Sequence, residues 1–182
     1  VGTYQAHNFI MERCRCDFNN VQYFEPFWDA AGAKITQSDN AIVRDCIFDD
    51  NLANGLWLDV NCTDAIITRN YMRRNVCTGI TVELSARTYV VSNWVSDTVA
   101  EPFGVADSGG FGIYVYDSND GCVYNNTCVN NAIDIQFDYD EDRDPDATAI
   151  GLGCSWDTVN WDVRNNVIVP KNSSTRPAVV TV

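Results

Sequence analysis

Histidine is almost missing from this sequence. His7 is the only one in 182 residues, and no two of the eight cysteines stand at Cys-x-x-Cys spacing. A zinc site draws mostly on those two residue types, so zinc is a poor candidate. One imidazole leaves little room for a Ser/His/Asp relay, and neither a nucleophile elbow nor a glycine-rich phosphate loop occurs. Positive charge is scarce as well: 12 Lys and Arg stand against 25 Asp and Glu, a net charge of −13. The pI is near 4.2. Phosphate backbones need a basic surface, which argues against nucleic acid, and anionic membrane surfaces are disfavoured for the same reason. No apolar run approaches the ~20 residues of a membrane span, so no membrane insertion is expected. No signal peptide or initiator Met is visible, and the chain begins at Val1 as though processed or excised.

What is present is repetition. Apolar residues make up 46% of the chain, enough for the core of one domain. The stretch Gly55-Leu56-Trp57-Leu58-Asp59 returns as Gly79-Ile80-Thr81-Val82-Glu83, Gly112-Ile113-Tyr114-Val115-Tyr116 and Ala132-Ile133-Asp134-Ile135-Gln136. In each copy the second and fourth residues are aliphatic, and the third and fifth are polar or aromatic. That alternation predicts a strand with one buried and one wet face. A second strand follows the same frame, as in Ile42–Phe48, Ile66–Met72 and Cys122–Cys128. One column of it reads Cys14, Cys46, Asn70, Asn93, Asn126 and Asn166, with steps of 32, 24, 23, 33 and 40 residues. A step near 24 is one turn of a solenoid with three short strands and three bends, and the longer steps are that turn plus an insertion. Asparagine at a bend tolerates left-handed geometry, and stacked amides can bond along the column. Cys14 and Cys46 are either a disulfide across adjacent coils or small buried residues.

The pattern Asn-x-hydrophobic-hydrophobic-x-x-Asn … Asn-x-x-x-Gly-Ile-x-hydrophobic resembles the repeat of the right-handed parallel β-helix superfamily, the pectate-lyase-like fold. Ala31-Gly32-Ala33-Lys34, Asn54–Asp59 and Gly79–Ser85 look like a bacterial subgroup of secreted β-helix repeat proteins. The resemblance covers roughly residues 8–170. It implies an all-β, single-stranded right-handed parallel β-helix of about six to seven coils. It leaves activity open, since lyases, hydrolases, epimerases, adhesins and structural proteins share the fold. Two insertions break the period, at about 97–110 and 138–155, and loops there are placed to wall a groove over the sheet.

Stacked coils turn outward residues into rows. One predicted row is Trp57, Thr81, Tyr114 and Asp134. The next is Asp59, Glu83, Tyr116 and Gln136, with Lys34 beginning it one coil earlier. Aromatic faces suit sugar rings and polar groups suit their hydroxyls. The resemblance likewise implies that this sheet face is a substrate groove. Asp59 and Glu83 on neighbouring strands would bring two carboxyls about 5–6 Å apart, the separation of a glycosidase acid/base pair. Such proximity raises one pKa and leaves the other group ionised. Lys34 is the candidate base for elimination on a uronate. Asp138, Asp140, Asp142 and Asp144 alternate along the second insertion, an oxygen-rich set that suits Ca²⁺, although the EF-hand pattern fails. Asn61, Asn125 and Asn172 open N-x-[ST] sequons, which together with the resemblance point to a secreted or cell-surface protein.

The sequence therefore predicts a secreted carbohydrate-active β-helix that engages a polysaccharide along its sheet face, with hydrolysis or elimination as the chemistry. Two rivals stand beside it. No capping helix is apparent at either end, so either the chain is a fragment of a longer one or subunits stack end to end into an extracellular filament or coat. A passive glycan-binding module would share the groove without turnover.

Overall fold

The computed structural model describes residues 1–100, 109–171 and 179–181. Three parallel sheets run the length of the solenoid. The first has seven strands: Gly2–Tyr4, Ala31–Thr36, Asn54–Asp59, Thr78–Glu83, Phe111–Tyr116, Ile133–Asp138 and Val179–Thr181. The second has six, from Ile10–Glu12 to Val159–Arg164, and the third has five, from Ile47–Asp49 to Val167–Val169. Each sheet takes one strand per coil, so six to seven coils are present.

The expected alternation sets the core. Leu56, Leu58, Ile80, Val82, Ile113, Val115 and Ile135 point inward from the first sheet and are fully buried. Val43, Ile67, Val90 and Val123 face them from the second, and Phe48, Met72, Val95 and Cys128 from the third. Burying each such side chain contributes about 1.5–3 kcal/mol against leaving it exposed. No single coil closes a core alone, so stability comes from stacking.

The asparagine column forms as expected. Asn70, Asn93 and Asn126 are buried; Asn93 and Asn126 each take two hydrogen bonds on Oδ1 from the coil before, and Asn70 takes one, from the Cys46 amide. Their Nδ2 groups donate to the core-side carbonyls of Val43, Ile67 and Val90. One expectation needs correcting. The left-handed conformation falls on the residue before each ladder position: Asp45, Arg69, Ser92, Asn125 and Asn165, all with positive φ. The ladder asparagines themselves turn inward, where their amides replace the backbone partners a bend cannot supply. A second ladder, unforeseen, links Asn19, Asn51 and Asn75 at another corner. Cys14 and Cys46 are both free thiols, with the Cys14 amide donating to Cys46 Sγ at 3.4 Å.

The second insertion is more than a loop. It carries a short helix, Ala147–Leu152, capped by Asp146, whose carboxylate accepts from the Ala149 amide at 2.7 Å. Gly153 closes it at φ 77, a left-handed turn that favours glycine. Of the first insertion, residues 101–108 lie outside the described residues.

Candidate functional site: a groove over the seven-stranded sheet

Strand register decides which outward residues meet. Lys34 pairs with Trp57, Trp57 with Thr81, Thr81 with Tyr114, and Tyr114 with Gln136. Thr36 pairs with Asp59, and Tyr116 with both Glu83 and Asp138. Lys34 therefore belongs to the Trp57 row, not to the Asp59 row predicted for it. Gln136 likewise moves to the Trp57 row, and Asp138 takes its place beside Tyr116. Asp59 and Glu83 follow directly on the paired residues Leu58 and Val82. They sit on adjacent strands, which lie about 4.8 Å apart. Immediately after Asp59, Val60 and Asn61 both adopt positive φ. This is costly for a β-branched residue and marks a local bulge at that strand end.

The floor is walled on two sides. From the segment between the first two coils come Phe27, Trp28 and Asp29; from the second insertion comes Arg143. One hollow of about 220 Å³ is lined by Phe27, Trp57, Thr81, Tyr114, Tyr116 and Glu83, among others. It continues into a second of about 420 Å³ over Trp28, Lys34, Asp59 and Glu83. Phe111, Tyr114 and Tyr116 stack in series, with ring centroids 4.6 and 5.5 Å apart. Beside them Thr78 Oγ1 donates to Asn54 Oδ1 at 2.7 Å and lies 2.5 Å from Thr81 Oγ1.

Charges in the groove are paired. Lys34 Nζ lies 2.9 Å from Asp59 Oδ2, 3.7 Å from the centre of the Trp57 ring and 2.5 Å from the Trp28 carbonyl. Arg143 donates to Glu83 at 2.8 Å and to Asp117 at 3.2 Å, and its guanidinium covers the Tyr116 ring at 4.8 Å. Burial pushes the Glu83 carboxyl above its usual range. Asp59 adds to that rise, and Arg143 and Lys34 oppose it. Burial also raises Asp117. The Tyr116 phenol is pushed up to about 12, by burial first.

The family model described as right handed beta helix region matches residues 1–105. The chain belongs to that family. A comparison with curated proteins returns no match. Among solved structures, this β-helix is similar to two crystal structures of the periplasmic alginate epimerase AlgG. The T265N mutant matches with a TM-score of 0.60 and 17% identity, over 97% of this chain and 40% of that one. The T265N T268M double mutant matches with a TM-score of 0.55 and 19% identity, over 84% of this chain and 36% of that one. The chain thus spans less than half the length of either, and at this identity the likeness is one of fold.

Several predicted site residues of the β-helix lie elsewhere than expected. Asp134 is not on the groove. It falls in the column of Gly32, Gly55, Gly79 and Gly112, is 2% exposed, and accepts from Asn131 Nδ2 at 2.9 Å. Burial raises its pKa. Trp57 lines the groove but is only 4% exposed, so it is no open stacking platform. Gln136 is buried, and its amide donates to the Phe137 carbonyl. Among the described residues no three acidic side chains converge as a metal-ligand set. Asp138 and Asp140 accept from the Tyr114 and Tyr116 hydroxyls at 3.3 Å each, whereas Asp142 and Asp144 are exposed. Of the sequons, Asn61 is buried and its Oδ1 accepts from Trp156 Nε1 at 3.2 Å, which closes it to glycosylation in the folded chain. Asn125 is exposed at a corner, and Asn172 lies outside the described residues.

Asn54, Thr78 and Phe111 were legible but missed. They share one register position, one step before the repeated Gly-aliphatic pair. Phe27, Trp28 and Arg143 come from irregular segments and carry no periodic signal.

Proposed function

We propose that this β-helix holds a polysaccharide in the groove over its seven-stranded sheet and hydrolyses it with Glu83 and Asp59. One observation carries the reading: two carboxyls on adjacent strands of the groove floor have opposite surroundings. Asp59 is paired with the Lys34 ammonium at 2.9 Å. Glu83 is desolvated and lies next to Asp59, which favours the acid. Glu83 delivers its proton to the glycosidic oxygen as the bond from that oxygen to the anomeric carbon breaks. Asp59 takes the anomeric carbon, and water, deprotonated by Glu83, later displaces it. Adjacent strands lie about 4.8 Å apart, which suits the close carboxyl separation of the retaining geometry. Lys34 serves as counter-ion, and its contacts leave it poorly placed to act as the base of an elimination. The polysaccharide assignment also draws support from the two solved structures of similar fold, which are named as periplasmic alginate epimerases. Action outside the cytoplasm, in the periplasm or beyond, fits the same comparison.

The test is a polysaccharide panel read for reducing ends and for unsaturated products together, with NMR of the first-formed anomer. New reducing ends with retained configuration are expected. Unsaturated products would replace hydrolysis by elimination, and a silent panel with measurable binding would leave a glycan-binding module.

A further inference from the structure

We infer that the glycan this groove takes carries no carboxylate, and that the Trp28 ring is the platform on which one of its sugar rings stacks. This rests on the polysaccharide reading of the groove.

The first half follows from charge. Among the described residues Lys34 and Arg143 are the two cations lining the groove, and neither is available. Lys34 is held by Asp59, and Arg143 by Glu83 and Asp117, with Asp140 3.7 Å from its Nε. Asp29 adds a further carboxylate to the wall. A uronate ring seated over Asp59 and Glu83 would bring its negative charge close to that of Asp59, with Asp117 and Asp140 nearby, partly out of water, and with no unpaired cation among the described residues to meet it. Like charges that close in a site of reduced dielectric repel strongly. The uncharged hydroxyls of a neutral sugar incur no such cost. They find donors and acceptors in Asn54, Thr78 and Thr81 and stacked rings in Tyr114 and Tyr116.

The second half follows from exposure and anchoring. Trp28 is 73% exposed, an unusual state for the largest apolar side chain, and it borders the hollow that holds Asp59 and Glu83. Its backbone is anchored. Lys34 Nζ donates to the Trp28 carbonyl, and Asn54 Nδ2 donates to that of Pro26 at 3.1 Å. A flat ring on an anchored backbone has only its two side-chain torsions to lose on binding. Trp57 is buried beneath the same site, with its indole nitrogen unpartnered in the fold. It shapes the floor, and Trp28 supplies the open face.

Calorimetric titration of the chain tests both halves. The probes are neutral hexasaccharides of gluco-, manno- and xylo-configuration and hexauronates of mannuronate and galacturonate. At least one neutral series should bind, and both hexauronates should bind at least about tenfold more weakly. Trp28→Ala should weaken neutral binding by about tenfold with an unchanged melting curve. Trp94→Ala, which removes an exposed ring from another sheet, should change nothing. A hexauronate that binds as tightly as the best neutral sugar overturns the charge inference and leaves the groove reading intact. Neutral binding untouched by Trp28→Ala overturns the platform. If no probe binds, the groove reading fails and this inference with it.

Discussion

Arg143 reaches across the groove to Glu83, Nη1 to Oε1 at 2.8 Å, from a segment 60 residues further along the chain. The contact opposes the two influences that raise the Glu83 pKa, burial and the neighbouring Asp59. Removing the guanidinium should therefore let that pKa climb further. If Glu83 is the proton donor, its deprotonation sets the alkaline limb of the rate profile. Arg143→Ala should move that limb to higher pH. A limb that stays in place or moves down would remove Glu83 from the acid role.

Glu83→Gln separates chemistry from folding. The carboxyl holds its proton to higher pH in the folded chain than in the unfolded one. Ionising it in the fold thus carries a cost that is absent below the ordinary carboxylate range and fully present above the raised value. Glutamine abolishes that cost and still offers Arg143 an acceptor. Turnover should vanish, while the melting temperature relative to the parent should improve as pH rises from 4 to 7. Calorimetry at the two pH values checks the sign, and a variant that loses ground at pH 7 would mean the ion pair outweighs the burial.

The periodicity of this chain made its coils readable and its groove only partly so. Alternating aliphatics at Leu56, Leu58, Ile80 and Val82 gave the inner face, because burial acts on every coil alike. The row assignments of Lys34 and Gln136 failed in register. Each was placed two residues out, Lys34 beside Asp59 instead of Trp57 and Gln136 beside Tyr116 instead of Tyr114, because residues two apart share a face and alternation alone does not tell them apart. Asp134 misled because it occupies a column that glycine fills in the preceding coils. Arg143 and Trp28 were invisible for a different reason: their places are set by tertiary hydrogen bonds, which leave no period in the sequence.

Trp57 separates a floor from a platform. Its ring lies under the Lys34 ammonium and is almost wholly out of water. Trp57→Ala should thus act on stability, by about 3–5 kcal/mol, the range for emptying a buried large aromatic site. Chemical denaturation measures it. A change below about 1 kcal/mol, with glycan binding lost, would restore the exposed-platform role to Trp57.

The asparagine ladder should weaken from its centre outward. Asn93 makes four side-chain contacts, accepting from the Asn70 amide and Asn70 Nδ2 and donating to the Ile67 carbonyl and Asn126 Oδ1. Asn93→Ala strands several buried groups at once, at about 1–3 kcal/mol for each that finds no water. Among the described residues no ladder asparagine follows Asn166, which is part-exposed, so water can replace what Asn166→Ala removes. Unfolding midpoints in urea should fall much further for the first variant than for the second, and equal losses would show that the ladder is not cooperative.

Two glycines test how tightly the coils are stacked. A Cβ on Gly79 would stand 2.3 Å from Val95 Cγ1 and 2.6 Å from the Gly112 carbonyl oxygen. Neither neighbour can yield easily, because Val95 is core and the carbonyl belongs to the next strand of the sheet. Gly79→Ala should therefore cost about 1–3 kcal/mol as overpacking. Gly151, inside the short helix of the second insertion, has nothing within 4 Å of its would-be Cβ. There Gly151→Ala should gain about 0.5–1 kcal/mol by narrowing the unfolded ensemble. The opposite signs follow from one cause: the glycine column lies where successive coils leave no room for a methyl group, and the helix lies outside that stack. Thermal unfolding of both variants decides it, since a tolerated Gly79→Ala would mean the coils can part at the groove floor.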